Sequence, residues 1–221
     1  MNDGFPDDPG APVFFVSYAR PRVVQHDVTP AERNRYAMRF FSDLTAIVNE
    51  LIPVLPGGDP GFMDMTMEGG ERWEKHLLNA AGTCQVFIAL LSGPYLRSEW
   101  CAMEWDVFSR RSVVRRADRR PDTKTGILPV HWVPIVGAIP PVVSDVNRFT
   151  PTGLPDDSFG AQYRRHGVYG LLQRGQEKAY DSVIWALALR IQQLRHSHWV
   201  EPLIPPDTTG LHRTFDREEP A

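Results

Sequence analysis

Six consecutive apolar residues, Val86-Phe87-Ile88-Ala89-Leu90-Leu91, leave this stretch of the chain without a polar face. A strand with one wet face alternates polar and apolar residues. A strand with none is covered on both sides, as in the interior of a parallel sheet flanked by helices. The run, with Cys84 and Gln85 leading into it, is too short to cross a bilayer, so a buried strand is the expectation.

The flanking sequence has the partners such a strand needs. Val13-Phe14-Phe15-Val16 is a second compact β-favouring run, Gly61-Phe62-Met63-Asp64 a short third, and Ile127 to Val133 a fourth. Pro129 places that fourth strand at an edge or an end, because proline cannot donate to a ladder. His166 to Leu172 is read as a short fifth strand. Helical periodicity fills the intervals. Thr29-Pro30-Ala31-Glu32 has the form of a helix start, and Ala37, Phe40, Phe41, Leu44, Val48 and Leu51 continue it as one apolar stripe up to Pro53. Trp73, Leu77, Leu78 and Ala81 form a second stripe that stops near Gly82. Ser98 caps a third helix running to about Arg111, and Gln176 to Arg195 forms the last. Such alternation predicts a single α/β domain: a flavodoxin-like parallel sheet of about five strands with helices on both faces.

Within the 221 residues, 1–11 read as a disordered lead-in and 12–197 as the domain. Residues 134–165, rich in Pro, Asp, Ser and Arg, read as a surface insertion, and 198–221 as a loose Pro-rich tail. A net charge of −3 argues against a general electrostatic grip on nucleic acid or on an anionic membrane. No secretory signal is visible at the N-terminus, so the cytoplasm is the expected compartment. Cys84 and Cys101 share no ligand spacing, which makes a disulfide scaffold or structural zinc a poor reading. His196 and His198 read as a solvated helix end, and no metal site is expected.

Neither GxxxxGK[ST] nor GxGxxG occurs, so a phosphate cradle of those kinds is unsupported. The third strand ends in Leu-Leu-Ser where a phospho-receiver would need an aspartate. Ligands of open parallel sheets bind beyond the carboxyl ends of the strands, where Ser17, Tyr18, Arg20, Asp64 and Ser92 fall. On the helix that Ser98 starts, Glu104 lies at about 300°, between Trp100 at about 260° and Phe108 at about 340°. Glu99, Asp106, Ser109 and Arg110 occupy the other side. A carboxylate inside an apolar arc is costly unless paired or facing a cleft. It fits either an internal structural partner or a working acid, base or cation-stabilising group, and periodicity does not separate the two.

Three blocks carry a family resemblance: Phe14-Phe15-Val16-Ser17-Tyr18-Ala19-Arg20, Phe62-Met63-Asp64 with Gly70-x-x-Trp73, and Val86 through Ser92-x-x-Tyr95-x-x-Ser98-x-Trp100-Cys101-x-x-Glu104. Together they resemble the Toll/interleukin-1 receptor (TIR) family over roughly residues 12 to 134. The insertion and tail look like those of an actinobacterial subgroup linked to small modified-peptide loci. The resemblance implies one of two activities. One is cleavage of NAD+ at the nicotinamide–ribose bond, giving linear, cyclic or transferred ADP-ribose in bacterial signalling or defence. NAD+ is then a substrate, with no prosthetic group, and the site is completed by TIR–TIR self-association. The other is a non-catalytic adaptor that assembles with TIR or other signalling proteins through the Asp64–Trp73 loop, with Met65 and Met67 as apolar contacts. In the enzymatic branch Glu104 matches the catalytic glutamate. Tyr18 and Arg20 match pocket residues, Trp100 an aromatic beside the glutamate, and Trp73 an aromatic at the far end of the second-strand loop. The segment Met65-Thr66-Met67-Glu68 departs from some enzymatic relatives in having no basic residue.

Overall fold

The computed structural model describes residues 10–20, 30–53, 58–64, 71–205 and 207–216, with the side chains of 30–33 and 71–73 outside that set. Most of the expected lead-in, the loop at 65–70 and the last five residues therefore lie outside the described residues.

Strands β1 (Phe14–Ser17), β2 (Gly61–Met63), β3 (Val86–Leu91) and β5 (Ile127–His131) form one parallel sheet in the order β2-β1-β3-β5. Between them run helices α1 (Pro30–Leu51), α2 (Glu71–Thr83) and α3 (Glu99–Ser109) and a short strand β4 (Val113–Arg115). Beyond β5 come α4 (Pro141–Ser144), α5 (Asp157–Gln173), α6 (Glu177–Ser197) and β6 (His198–Val200). Four parallel strands flanked by helices make the α/β fold that the apolar runs predict. The strand with no polar residue, β3, is interior, pairing Phe14↔Val86 through Ser17↔Ala89 on one side and Phe87↔Ile127 through Leu91↔His131 on the other. Pro129 is tolerated because β5 is the edge strand.

Alternation along the strands divides the interior in two. Phe14, Val16, Val86, Ile88 and Leu90 pack with α1, α5 and α6, while Phe15, Phe87, Ala89 and Leu91 pack with α2 and α3. On that second face Phe62, Phe15 and Phe87 stack across three strands, with centroid spacings of 5.4 Å at each step.

Three expectations need correction. The segment His166 to Leu172 is not a fifth strand but part of α5. Val168, Leu171 and Leu172 fall at helical spacing and bury one stripe. Residues 134–165 do not form a mere surface excursion, since Val143, Phe149 and Tyr163 are buried. The tail is not loose where it is described. His198–Val200 pairs antiparallel with β4, and Leu211 and Phe215 are buried against the α2–α3 face. His198 accordingly sits in this ribbon, with Nε2 at 3.1 Å from an Asp122 carboxylate oxygen, rather than at a solvated helix end. Among the described residues no helix is long and apolar enough to cross a membrane.

Candidate active site

The carboxyl end of β1 and the first turns of α3 meet on the α2–α3 face of the sheet. Ser17 closes β1 with its side chain on the same face as Phe15, two residues earlier. Beyond β3, the Ser92 hydroxyl accepts a hydrogen bond from the Tyr95 backbone N–H at 3.1 Å and shapes a 3-10 turn over Tyr95–Arg97. Ser98 then caps α3, its hydroxyl accepting from the Cys101 N–H at 3.3 Å, as its sequence position predicts. This start directs Cys101 and Glu104 into the protein and leaves Trp100 outward, 39% exposed.

Glu104 is 8% exposed, as its place in the apolar arc implies. Its carboxylate accepts a hydrogen bond from the Ser17 hydroxyl. The Ser17 and Tyr95 hydroxyl oxygens are 3.1 Å apart, so three buried side chains from three elements form one chain. Arg20 and Asp64, just beyond β1 and β2, form an ion pair beside them. Burial, as the main cause, pushes the Glu104 carboxyl up to about 8, and the nearby Asp64 charge adds to the rise; the Ser17 hydrogen bond and Arg20 oppose it. Tyr18 is raised by burial and partly held down by Arg20. The Cys101 thiol is raised mainly by burial and further by Glu104, which makes it a packed side chain rather than a nucleophile.

Of the five residues singled out from the sequence, Arg20 is brought beside Glu104 with Asp64, whereas Tyr18 hydrogen-bonds Arg20 and packs its ring with the α1–α5–α6 core. Trp100 lies one turn before Glu104 on α3 and is largely turned to the surface. Trp73 is in the first turn of α2, and its side chain lies outside the described residues. The expectation that Asp106 belongs to the wet side of α3 is overturned. It is 2% exposed, bonded by Arg110 and by the backbone N–H of His212 at 3.0 Å, because the tail covers that side of the helix. Sequence reading missed Ser17 as the partner of Glu104 and Tyr95 as the partner of Ser17. The available signal was a hydroxyl residue ending an otherwise apolar strand.

The donor set is chemically legible: one buried carboxyl with a hydroxyl donor, next to an arginine and a second carboxylate. A fixed carboxylate of this kind stabilises developing positive charge or accepts a proton. A groove of about 680 Å³ opens elsewhere, between α1, α6 and residues 152–155, and does not include these groups.

Comparison with known proteins gives one match. The TIR domain family model covers residues 45–157, just over half of the chain, taking in Asp64, Trp73, Trp100 and Glu104 but not Tyr18 or Arg20. No curated protein and no solved structure matches the chain.

Proposed function

The chain belongs to the TIR domain family, and from that premise we propose that it is an NAD+ glycohydrolase with Glu104 as its catalytic carboxylate. The observation that carries the reading is the buried Glu104 carboxyl, hydrogen-bonded by Ser17 beside the Arg20–Asp64 pair at the carboxyl ends of the strands. In the proposed reaction the C1′–N bond of the nicotinamide riboside breaks with its electron pair passing to the ring nitrogen. Nicotinamide departs neutral, and the ribose keeps cationic character that the Glu104 carboxylate stabilises. Water then bonds to C1′ and loses a proton, giving ADP-ribose; capture of C1′ by a nucleophile on the same molecule gives a cyclic product instead. Tyr18 contributes an aromatic wall, and Arg20 a phosphate or hydroxyl contact once released from Asp64. Trp73 and Trp100 are the further aromatic candidates.

A second reading, an adaptor that assembles with other TIR or signalling proteins, is favoured by the enclosure of Glu104: at 8% exposure the carboxyl is not open to a large substrate in a single chain. The enzyme reading accommodates this by requiring assembly to open or complete the site.

One experiment decides between them. Wild type and Glu104→Gln are incubated with NAD+ at high concentration, free and crowded on beads, and products are separated by chromatography. The enzyme reading expects nicotinamide release by wild type and at least a ~100-fold loss in Glu104→Gln. Equal turnover by both would remove Glu104 from the chemistry. No turnover in either format, with both proteins folded, would leave the adaptor.

A further inference from the structure

We propose that Ser17, with its hydroxyl hydrogen aimed by Tyr95, is the positioning residue that fixes the Glu104 carboxyl and favours its charged form. The inference rests on Glu104 as the working carboxylate.

Ser17 is 1% exposed and Tyr95 fully buried, so neither hydroxyl can turn to bulk water. Ser17 has one hydrogen to give, and within reach stand Tyr95 Oη at 3.1 Å, the Glu104 carboxylate and the Cys101 sulfur, of which the sulfur is the weak acceptor and the carboxylate the strong one. Tyr95 also has one hydrogen, and among the described residues its hydroxyl has no other hydrogen-bond partner than Ser17. If Ser17 donated to Tyr95, the tyrosine hydrogen would be buried without an acceptor, a costly arrangement. The economical network runs one way, from Tyr95 to Ser17 to Glu104. Ser17 is then a committed donor, and a committed donor favours the carboxylate over the acid.

Both anchors are held by structure unrelated to Glu104. The strand pairing Ser17↔Ala89 sets the direction of the serine. Tyr95 is held by the Ser92 hydroxyl at its backbone N–H and by the Phe215 ring, 5.5 Å away between centroids. The other titratable or charged groups around Glu104 are Asp64 beyond β2, Arg20 and Tyr18 beyond β1, and Cys101 on α3. Asp64 and burial favour the acid form, whereas Arg20 and Ser17 oppose them. Ser17 is the uncharged member of this set, so its removal takes away the hydrogen bonds to Glu104 and Tyr95 and changes no charge.

The test reads the carboxyl directly, without substrate. Wild type, Ser17→Ala and Tyr95→Phe are labelled at the glutamate carboxyl carbons and titrated by NMR, with the Glu104 signal assigned by its loss in Glu104→Gln. Ser17→Ala is expected to raise the Glu104 midpoint by about one pH unit, the scale of one hydrogen bond to a charged group. Tyr95→Phe keeps the ring and should raise it by a smaller amount. If wild type turns over NAD+, kcat at pH 7 should fall about tenfold in Ser17→Ala and recover above about pH 9, following the carboxylate fraction. A midpoint unmoved in Ser17→Ala or, should that variant not fold, in Tyr95→Phe overturns the proposal: the hydroxyls would then be packing groups only. Wild type inert toward NAD+ would sink the enzyme reading, and the titration would still judge Ser17 on its own.

Discussion

At the scale of single residues, Glu104 makes the protein's stability depend on pH in an unusual direction for a carboxyl group. Its folded-state value of about 8 lies above its ordinary value of 4.5. Between those limits the native state binds more protons than the unfolded state, so stability falls as pH rises. Its favourable contribution is complete below about 4.5 and lost as pH passes through about 8. Glu104→Gln keeps an acceptor for Ser17 and removes the titration. The variant should match wild type near pH 5 and exceed it by on the order of a few kcal/mol at pH 8 to 9, read from urea unfolding at each pH. A gap between the two proteins that stays constant with pH would mean that Glu104 titrates normally. If the enzyme reading holds, turnover rises over the same window, because the chemistry needs the carboxylate. The helical wheel was sufficient to bury Glu104, but the same wheel placed Asp106 in solvent. A wheel gives the direction of a side chain and not what later covers it.

Among the elements, α5 is where local reading failed most clearly. His166 to Leu172 is short, partly apolar and flanked by arginines, which suits a strand as well as half a helix. What decides is Gly167, whose φ of 66° and ψ of 173° interrupt the helix and let the chain pass tightly under β5. A Cβ at this position would lie 2.3 Å from the Trp132 carbonyl oxygen, the group that accepts the Tyr169 N–H at 3.0 Å. Both the backbone angle and the space demand glycine. Gly167→Ala should therefore cost about 3 kcal/mol in urea unfolding, since strain and a backbone clash combine. A loss below about 1 kcal/mol would show that the break in α5 is not fixed by this residue. By contrast α1 and α3 begin at Pro30 and after Ser98 as read, because their start signals lie within a few adjacent residues.

Over the whole molecule, the last segment acts as a clasp across α2 and α3. Leu203 donates its N–H to the Gly82 carbonyl at 2.9 Å, where α2 ends. Arg111, 6% exposed, gives its guanidinium hydrogens to four backbone carbonyls: Ala81 at 3.0 Å, Cys84 at 2.6 Å, Val200 at 3.2 Å and Glu201 at 2.9 Å. Farther on, the Phe215 ring packs against Tyr95 and, 5.8 Å between centroids, edge-on to Trp105. Phe215→Ala should destabilise the protein by about 3 kcal/mol, measured by thermal or urea unfolding. It should also change the fluorescence of the folded state, because Trp105 loses an aromatic neighbour. Unchanged stability would mean that the tail rests on the core without being part of it.

The sequence by itself determined the fold class, the interior place of β3, the edge place of β5 and the burial of Glu104. Each of these is written in a short window, as an apolar run, a proline or a helical period. The tertiary structure decided which polar groups are enclosed and with whom. Ser17 and Glu104 are 87 positions apart and meet only because β1 and β3 run parallel and α3 packs back on their shared face. Asp106 and Arg111 are covered by a proline-rich tail with no periodicity to announce its docking, and His198 is buried where that tail pairs with β4. Local pattern encodes the face a residue presents, whereas the partner on that face depends on how distant segments return, and only the folded chain specifies that.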